Sequence, residues 1–491
     1  MIRKLKLGVI ALSVLGIICA VTLIQWQPAN SAPTPSQAIH LLNRLSFGPT
    51  PGDIQQVQQI GIDAYIQAQL HPESLPNPAQ LSQKLNQLST LKLPPEQLLQ
   101  TYSPQGDKRK NQSDATKKKQ QQQARKPLQE AIEARLLRAV MSPQQLQEVL
   151  TDFWFNHFNV AADKGKTKFW VGNYEAAAIR PHVLGQFRDL LAATARHPAM
   201  LFYLDNWRNS APGSPGAKGQ FKGLNENYAR ELMELHTLGV HGGYSQADVV
   251  TLARILTGWG IVPPGQPGAG KFFFDQNRHD SSNKVFLGQS ITGQGIAEVE
   301  QALDLLAQHP ATAQHISYKL AQYFVADDPP EVLVDRLAQT FRATQGNLRV
   351  VLETLFQSDQ FWEQQYYGQK FRTPYQYIIS LLRATETPTA ETKSIDGWLK
   401  QMGMPLYKCS TPDGYKNTQG AWLSPDAMTR RLSLALSLGR GNLRHKTPVD
   451  TVQLKQTLDG LLSPKTAAVV DSHPANLQAS LILGSPEMMN R

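Results

Sequence analysis

The chain has 491 residues, 41% of them apolar, a formal net charge of +10 and two cysteines, Cys19 and Cys409. Arg3, Lys4 and Lys6 contribute +3 and Asp107 to Lys126 contributes +6, which leaves +1 for everything else and argues against nucleic acid as the main ligand. With Cys409 the only cysteine past the first apolar run, an intramolecular disulfide and a four-cysteine zinc site are both excluded in the rest of the chain, so stability must come from core burial.

The amino terminus places three basic residues before an uncharged apolar run, Leu7 to Ile24, followed by small residues at Ala29-Asn30-Ser31. That order is the one export machinery recognises, so residues 1–32 are expected to be a signal peptide, or a signal anchor if the run is retained in the membrane. The protein is then expected outside the cytoplasmic membrane, periplasmic, extracellular or tethered. Residues 33–491 follow as a single helical domain, interrupted over residues 103–126 by a basic, glutamine-rich insertion expected to be disordered. Lys117-Lys118-Lys119 in that insertion stay solvated or meet an anionic lipid or polymer.

Helix punctuation recurs along the body. Thr50-Pro51, Ser142-Pro143 followed by Gln145, and Ser424-Pro425-Asp426 each combine a cap with a first-turn proline, and Gly439 stops the last of these helices. Lys126 to Val140 and Gln144 to Phe155 carry one-sided apolar periodicity and should pair as an antiparallel hairpin. Phe272-Phe273-Phe274, inside the Gly/Pro-rich stretch from Gly258 to Gly295, is the one place where a short strand is expected. The fold class that follows is mainly α: a multi-helix globular domain with long loops and little or no β structure.

One segment stands out: Gly223-Leu224-Asn225-Glu226-Asn227-Tyr228-Ala229-Arg230-Glu231-Leu232-Met233-Glu234-Leu235-His236-Thr237-Leu238-Gly239. Around it lie Trp154-Phe155-Asn156-His157-Phe158, His197-Pro198, Leu256-Thr257-Gly258-Trp259, His279-Asp280 with Lys284, Lys370-Phe371-Arg372-Thr373-Pro374, Pro412-Asp413-Gly414-Tyr415 and Trp422-Leu423-Ser424-Pro425. In this order the motifs resemble the bacterial family of domain of unknown function 1800, over roughly residues 36–491 apart from the basic insertion. The resemblance implies an exported, mostly helical protein of unestablished activity. It also implies a partner, another exported protein of sulfatase-like or phosphatase-like type. It brings no catalytic residues to transfer.

Site candidates therefore come from residue chemistry. At 100° per residue Tyr228, Ala229, Leu232, Met233 and Leu235 fall on one arc, the core side, while Asn227, Arg230, Glu231 and Glu234 share the opposite face. That face is either a paired, solvated surface in which Arg230 neutralises Glu234, or a buried acid pair able to act as general base or to hold a divalent metal. His236 lies on the apolar arc and is expected in the core. His157 sits among aromatic side chains, where burial keeps an imidazole neutral. His279, Asp280 and Lys284 lie in a loop, where packing explains polar residues less easily than on a helix. The glycine-rich loop from Ser210 to Gly223 leads with Lys218 and Lys222 into a helix amino terminus, a geometry that can hold anions. Signatures of metalloproteases, serine hydrolases and phosphate- or dinucleotide-binding loops are absent. Two functions remain: a cell-envelope binding or assembly protein, or a hydrolase of novel site acting on an extracellular polymer or ester. The hydrolase would use Glu231, Glu234, His157 and His279 for catalysis, with Asn227, Arg230, Asp280 and Lys284 binding.

Overall fold

Helix starts in the computed structural model, which describes residues 32–103, 113–263, 265–387, 392–441 and 448–491, follow the capping chemistry of the sequence. Thr34 and Gln37 form a reciprocal capping box at α1 (Pro35–Leu45). Thr50-Pro51 starts its helix late: Asp53–Ile60 begins after Gly52, and the Asp53 carboxylate accepts from the Thr50 N–H at 2.7 Å. Further along, Ser113 caps α2 (Asp114–Met141), and α3 (Gln145–His157) begins just after Ser142-Pro143. The central motif forms α4 (Asn227–Glu234), followed by α5 (Gln246–Ile255), α6 (Ile296–Gln308), α7 (Pro310–Phe324) and α8 (Pro374–Ala384). Ser424 caps α9 (Pro425–Gly439), which ends at the glycine the sequence marks.

The expected disorder of residues 103–126 is not what the structure has over its described part. Residues 104–112 lie outside the described residues, but Asp114 to Lys126 form the first half of α2, which runs through Pro127 without ending there. Alanine, lysine and glutamine favour helix, and the second half of α2 is anchored by buried Ile132 and Leu136, so each further residue only extends an existing helix. α2 and α3 do meet, through Arg135 and Asp152, and α2 also packs along the helix Thr167–Asn173.

The fold is mainly α. Strand structure among the described residues is confined to the Gly258–Gly295 stretch, in two separate antiparallel pairs: β1 (Trp259–Ile261) with β2 (Phe272–Phe274), and β3 (Lys284–Phe286) with β4 (Gln289–Ile291). The expected Phe272–Phe274 strand is present. The β3–β4 hairpin escaped the sequence reading; its turn places Leu287 (φ 48°) and Gly288 (φ 74°) in the left-handed region, which matches strand twist.

At the centre lies α8, every residue of which is buried. Its polar side chains are partnered: Gln376 donates to the Tyr323 hydroxyl (3.1 Å) and Arg383 to the Gly48 carbonyl (2.7 Å). Pro33–Arg491 form one compact unit. No helix among the described residues is long and apolar enough to cross a membrane, and the Leu7 to Ile24 run lies outside them.

Candidate functional site

The amphipathic reading of α4 fixes which side faces inward. Tyr228, Ala229, Leu232 and Met233 are buried, and Asn227 is a structural residue whose Nδ2 donates to the Leu204 carbonyl at 3.2 Å. Opposite them, Arg230 is half-exposed and reaches Glu234 and Glu226, each at 3.3 Å, and Gln246 at 2.8 Å. The paired surface is thus the arrangement present, not a buried acid pair. Glu231 has no ion pair within 4 Å among the described residues; partial burial, then the charges of Glu234 and Asp413, raise its carboxyl above the usual range.

Where α4 ends, three histidines from separate parts of the chain converge. His157, at the end of α3, donates from Nε2 to the His236 carbonyl (3.1 Å), and its ring lies 6.1 Å from that of His236 and 6.2 Å from that of His315. His315 on α7 donates from Nε2 to the Leu235 carbonyl (3.2 Å). Burial, reinforced by the other histidines and Lys319, holds His157 well below its ordinary value; burial brings His236 to about 3 and His315 to about 4. His236 is the core histidine expected, although its Nε2 has no hydrogen-bond partner.

Beside this cluster opens a cavity of about 520 Å³, walled by α3, the end of α4, α7 and the 413–418 segment. The segment is clamped by Asn156, whose Oδ1 accepts from the Tyr415 N–H and whose Nδ2 donates to the Tyr415 carbonyl, both at 2.7 Å. Gly414 (φ 68°) is required there, because a Cβ would stand 2.3 Å from the Asn156 carbonyl oxygen. Lys319 projects from α7 one turn beyond His315; burial and the nearby Lys416 lower its ammonium pKa, while Asp413 opposes the shift. Beneath the cavity, Arg135 bridges Asp152 (2.5 Å) and Glu175 (3.1 Å), and the Tyr407 hydroxyl donates to Glu175 (2.9 Å).

Of the four catalytic candidates, His157 and Glu234 line this cavity and Glu231 stands near it; His279 belongs elsewhere. Its Nε2 lies 2.9 Å from Glu298, which also accepts from Lys284 at 2.6 Å, and the side chains of all three are fully buried. Glu298 further accepts from the Gly295 N–H, so this ion cluster fastens the loop to the start of α6. Asp280 pairs chiefly with Arg254 at 2.7 Å, its other oxygen lying 3.9 Å from Lys284. The expected joint constellation of His157, the glutamates and His279 is therefore not assembled: neighbouring loop side chains diverge to satisfy separate charges. Among the described residues no group of three or more His, Cys, Asp or Glu side chains is placed to hold a metal ion. His315 and Lys319, which sequence reading missed, carry one legible signal, their four-residue spacing on a single helix face.

The family described as protein of unknown function (DUF1800) matches residues 40–490. No match to this chain was found among curated proteins or among solved structures.

Proposed function

Since the chain belongs to the DUF1800 family, which prescribes no reaction, we propose that it is an exported cell-envelope binding protein whose ligand occupies the cavity between α3, α4 and α7. The observation that carries this reading is the state of the histidines. A general base works best with a pKa near the ambient pH and with a partner that orients it. His157 and His315 are instead held far below that range, and each gives its Nε2 proton to a backbone carbonyl, not to a carboxylate. Such rings supply fixed, neutral walls. The cavity volume lies within the roughly 300–1,000 Å³ of small-molecule sites, and tyrosines, uncharged polar side chains and charged groups, Glu234 and Lys319 among them, line it. Assembly with a sulfatase-like or phosphatase-like exported partner is a further proposal that rests on family resemblance.

The test is a thermal-shift screen of small polar metabolites on the full chain, repeated with Asn417→Trp to fill the cavity. A true ligand raises the midpoint of the wild type in proportion to the logarithm of its concentration, and the filled variant does not respond. Turnover of esters or glycans that is lost in His157→Gln or Glu234→Gln, without ligand-induced stabilisation, would replace this reading by the hydrolase.

A further inference from the structure

The cavity separates charge. Behind one wall, at α4, a single guanidinium serves two carboxylates, Arg230 pairing with Glu226 and Glu234 at 3.3 Å each, and a third carboxylate, Glu231, has no ion pair within 4 Å among the described residues. Glu234 is the member that faces the cavity. On the other wall, Lys319 has no ion pair and no hydrogen bond among the described residues, although it is partly buried. The remaining charges there are internally balanced. Asp413 pairs with Lys416 at 2.6 Å, and Asp152 with Arg135. The histidines are neutral, so they compensate neither wall.

A half-buried ammonium without a counter-ion and a carboxylate wall short of positive charge both cost solvation that a ligand of matching charge restores. A purely anionic ligand would satisfy Lys319 but meet repulsion from Glu234; a cation would do the reverse. A neutral ligand would leave both walls unmatched. We propose that the cavity takes a zwitterion, its acidic group on Lys319 and its ammonium on Glu234. The chemical class is an amino acid or short unblocked peptide, which a cavity of about 520 Å³ accommodates. Phe153, Tyr318, Tyr323 and Tyr415 supply apolar surface for the body of such a ligand. This inference rests on the reading of the cavity as a ligand site.

The experiment is calorimetric titration of the full chain with free amino acids and unblocked dipeptides, the tightest binder being compared with its N-acetyl and C-amide forms. Blocking either end should weaken binding at least about tenfold. Lys319→Met should weaken the free and N-acetyl forms by a similar factor and leave the C-amide form unchanged, whereas Glu234→Gln should spare only the N-acetyl form. This crossed pattern distinguishes direct recognition from a general structural effect of either substitution. Equal affinity of blocked and free forms, equal losses across all three, or no binding of any member of the panel overturns the zwitterion assignment. If a neutral or singly charged compound binds instead and Asn417→Trp abolishes that binding, the ligand-site reading stands while this inference falls. If no compound of any charge class binds, both fall.

Discussion

Two arginines show how burial decides the weight of one side chain. Arg230 is half-exposed between its glutamates, and an ion pair in water contributes little, so Arg230→Ala should cost less than about 1 kcal/mol. Arg135 is buried between Asp152 and Glu175, with Phe155, Tyr375 and Tyr407 around its guanidinium. Its loss strands two buried carboxylates, so Arg135→Ala should cost about 3 kcal/mol or more. Urea denaturation of both variants checks the contrast, and equal midpoints would contradict it. The motif around Arg230 drew attention because its residues are contiguous. Arg135 passed unnoticed because its partners, 17 and 40 residues away, meet only in the folded chain. A pH dependence follows from the histidines. His236 and His315 have folded pKa values of about 3 and about 4, below the ordinary 6.5, so the unfolded chain binds protons first as pH falls. Their contribution to stability is whole above pH 6.5 and is lost between 6.5 and about 3 for His236 and between 6.5 and about 4 for His315, at up to about 1.4 kcal/mol per pH unit for each ring. His236→Phe should flatten the slope of unfolding free energy against pH in that window, and an unchanged slope would refute the assignment.

At the scale of elements, helix boundaries were largely legible because capping is local chemistry: Ser424-Pro425 and Gly439 mark both ends of α9. The two readings that went astray depended on neighbours. A low-complexity run resembles a disordered tail in composition, yet it is helical here because it continues α2, whose far end is packed. The β3–β4 hairpin is too short for alternation to register and is held by Lys284 reaching Glu298. In α2, residues 114–123 are exposed or nearly so, and Ala124 is the first buried side chain. Removing residues 114–123 should therefore reduce the far-ultraviolet helical signal while changing the unfolding free energy from urea denaturation by less than about 1 kcal/mol. A larger loss of stability would mean that this polar half packs against the body. The exposed Lys117, Lys118 and Lys119 keep the proposal of an anionic lipid or polymer contact open to a salt-dependent vesicle-binding assay on the same deletion.

Across the whole molecule, single buried arginines join segments hundreds of residues apart. Arg372 donates from Nη2 to the Asn43 side chain and from Nη1 to the Met488 carbonyl, both at 2.7 Å, so one guanidinium ties α1 to the last turn of the chain. Arg383 reaches the Gly48 carbonyl from the last turn of α8, and Lys370 and Arg491 exchange backbone hydrogen bonds at 3.2 and 2.8 Å. None of this could be read in periodicity, which says that a helix has an inner face but not which distant segment meets it. The consequence concerns cooperativity. Chains of this length commonly unfold through intermediates, one domain at a time. Here one apolar cluster runs from Ala38 to Met489, and the amino- and carboxyl-terminal ends of the body share it. Fluorescence of the buried Trp154, Trp170 and Trp259 and the far-ultraviolet helical signal should therefore report one coincident urea transition. Asn43→Ala, which leaves the buried Arg372 Nη2 without its partner, should lower that midpoint by an amount equivalent to about 1–3 kcal/mol and keep the two signals superimposed. Two separated transitions, with only the earlier one moved by the substitution, would show instead that α1 and the carboxyl-terminal segment unfold as a unit apart from the helices around the cavity.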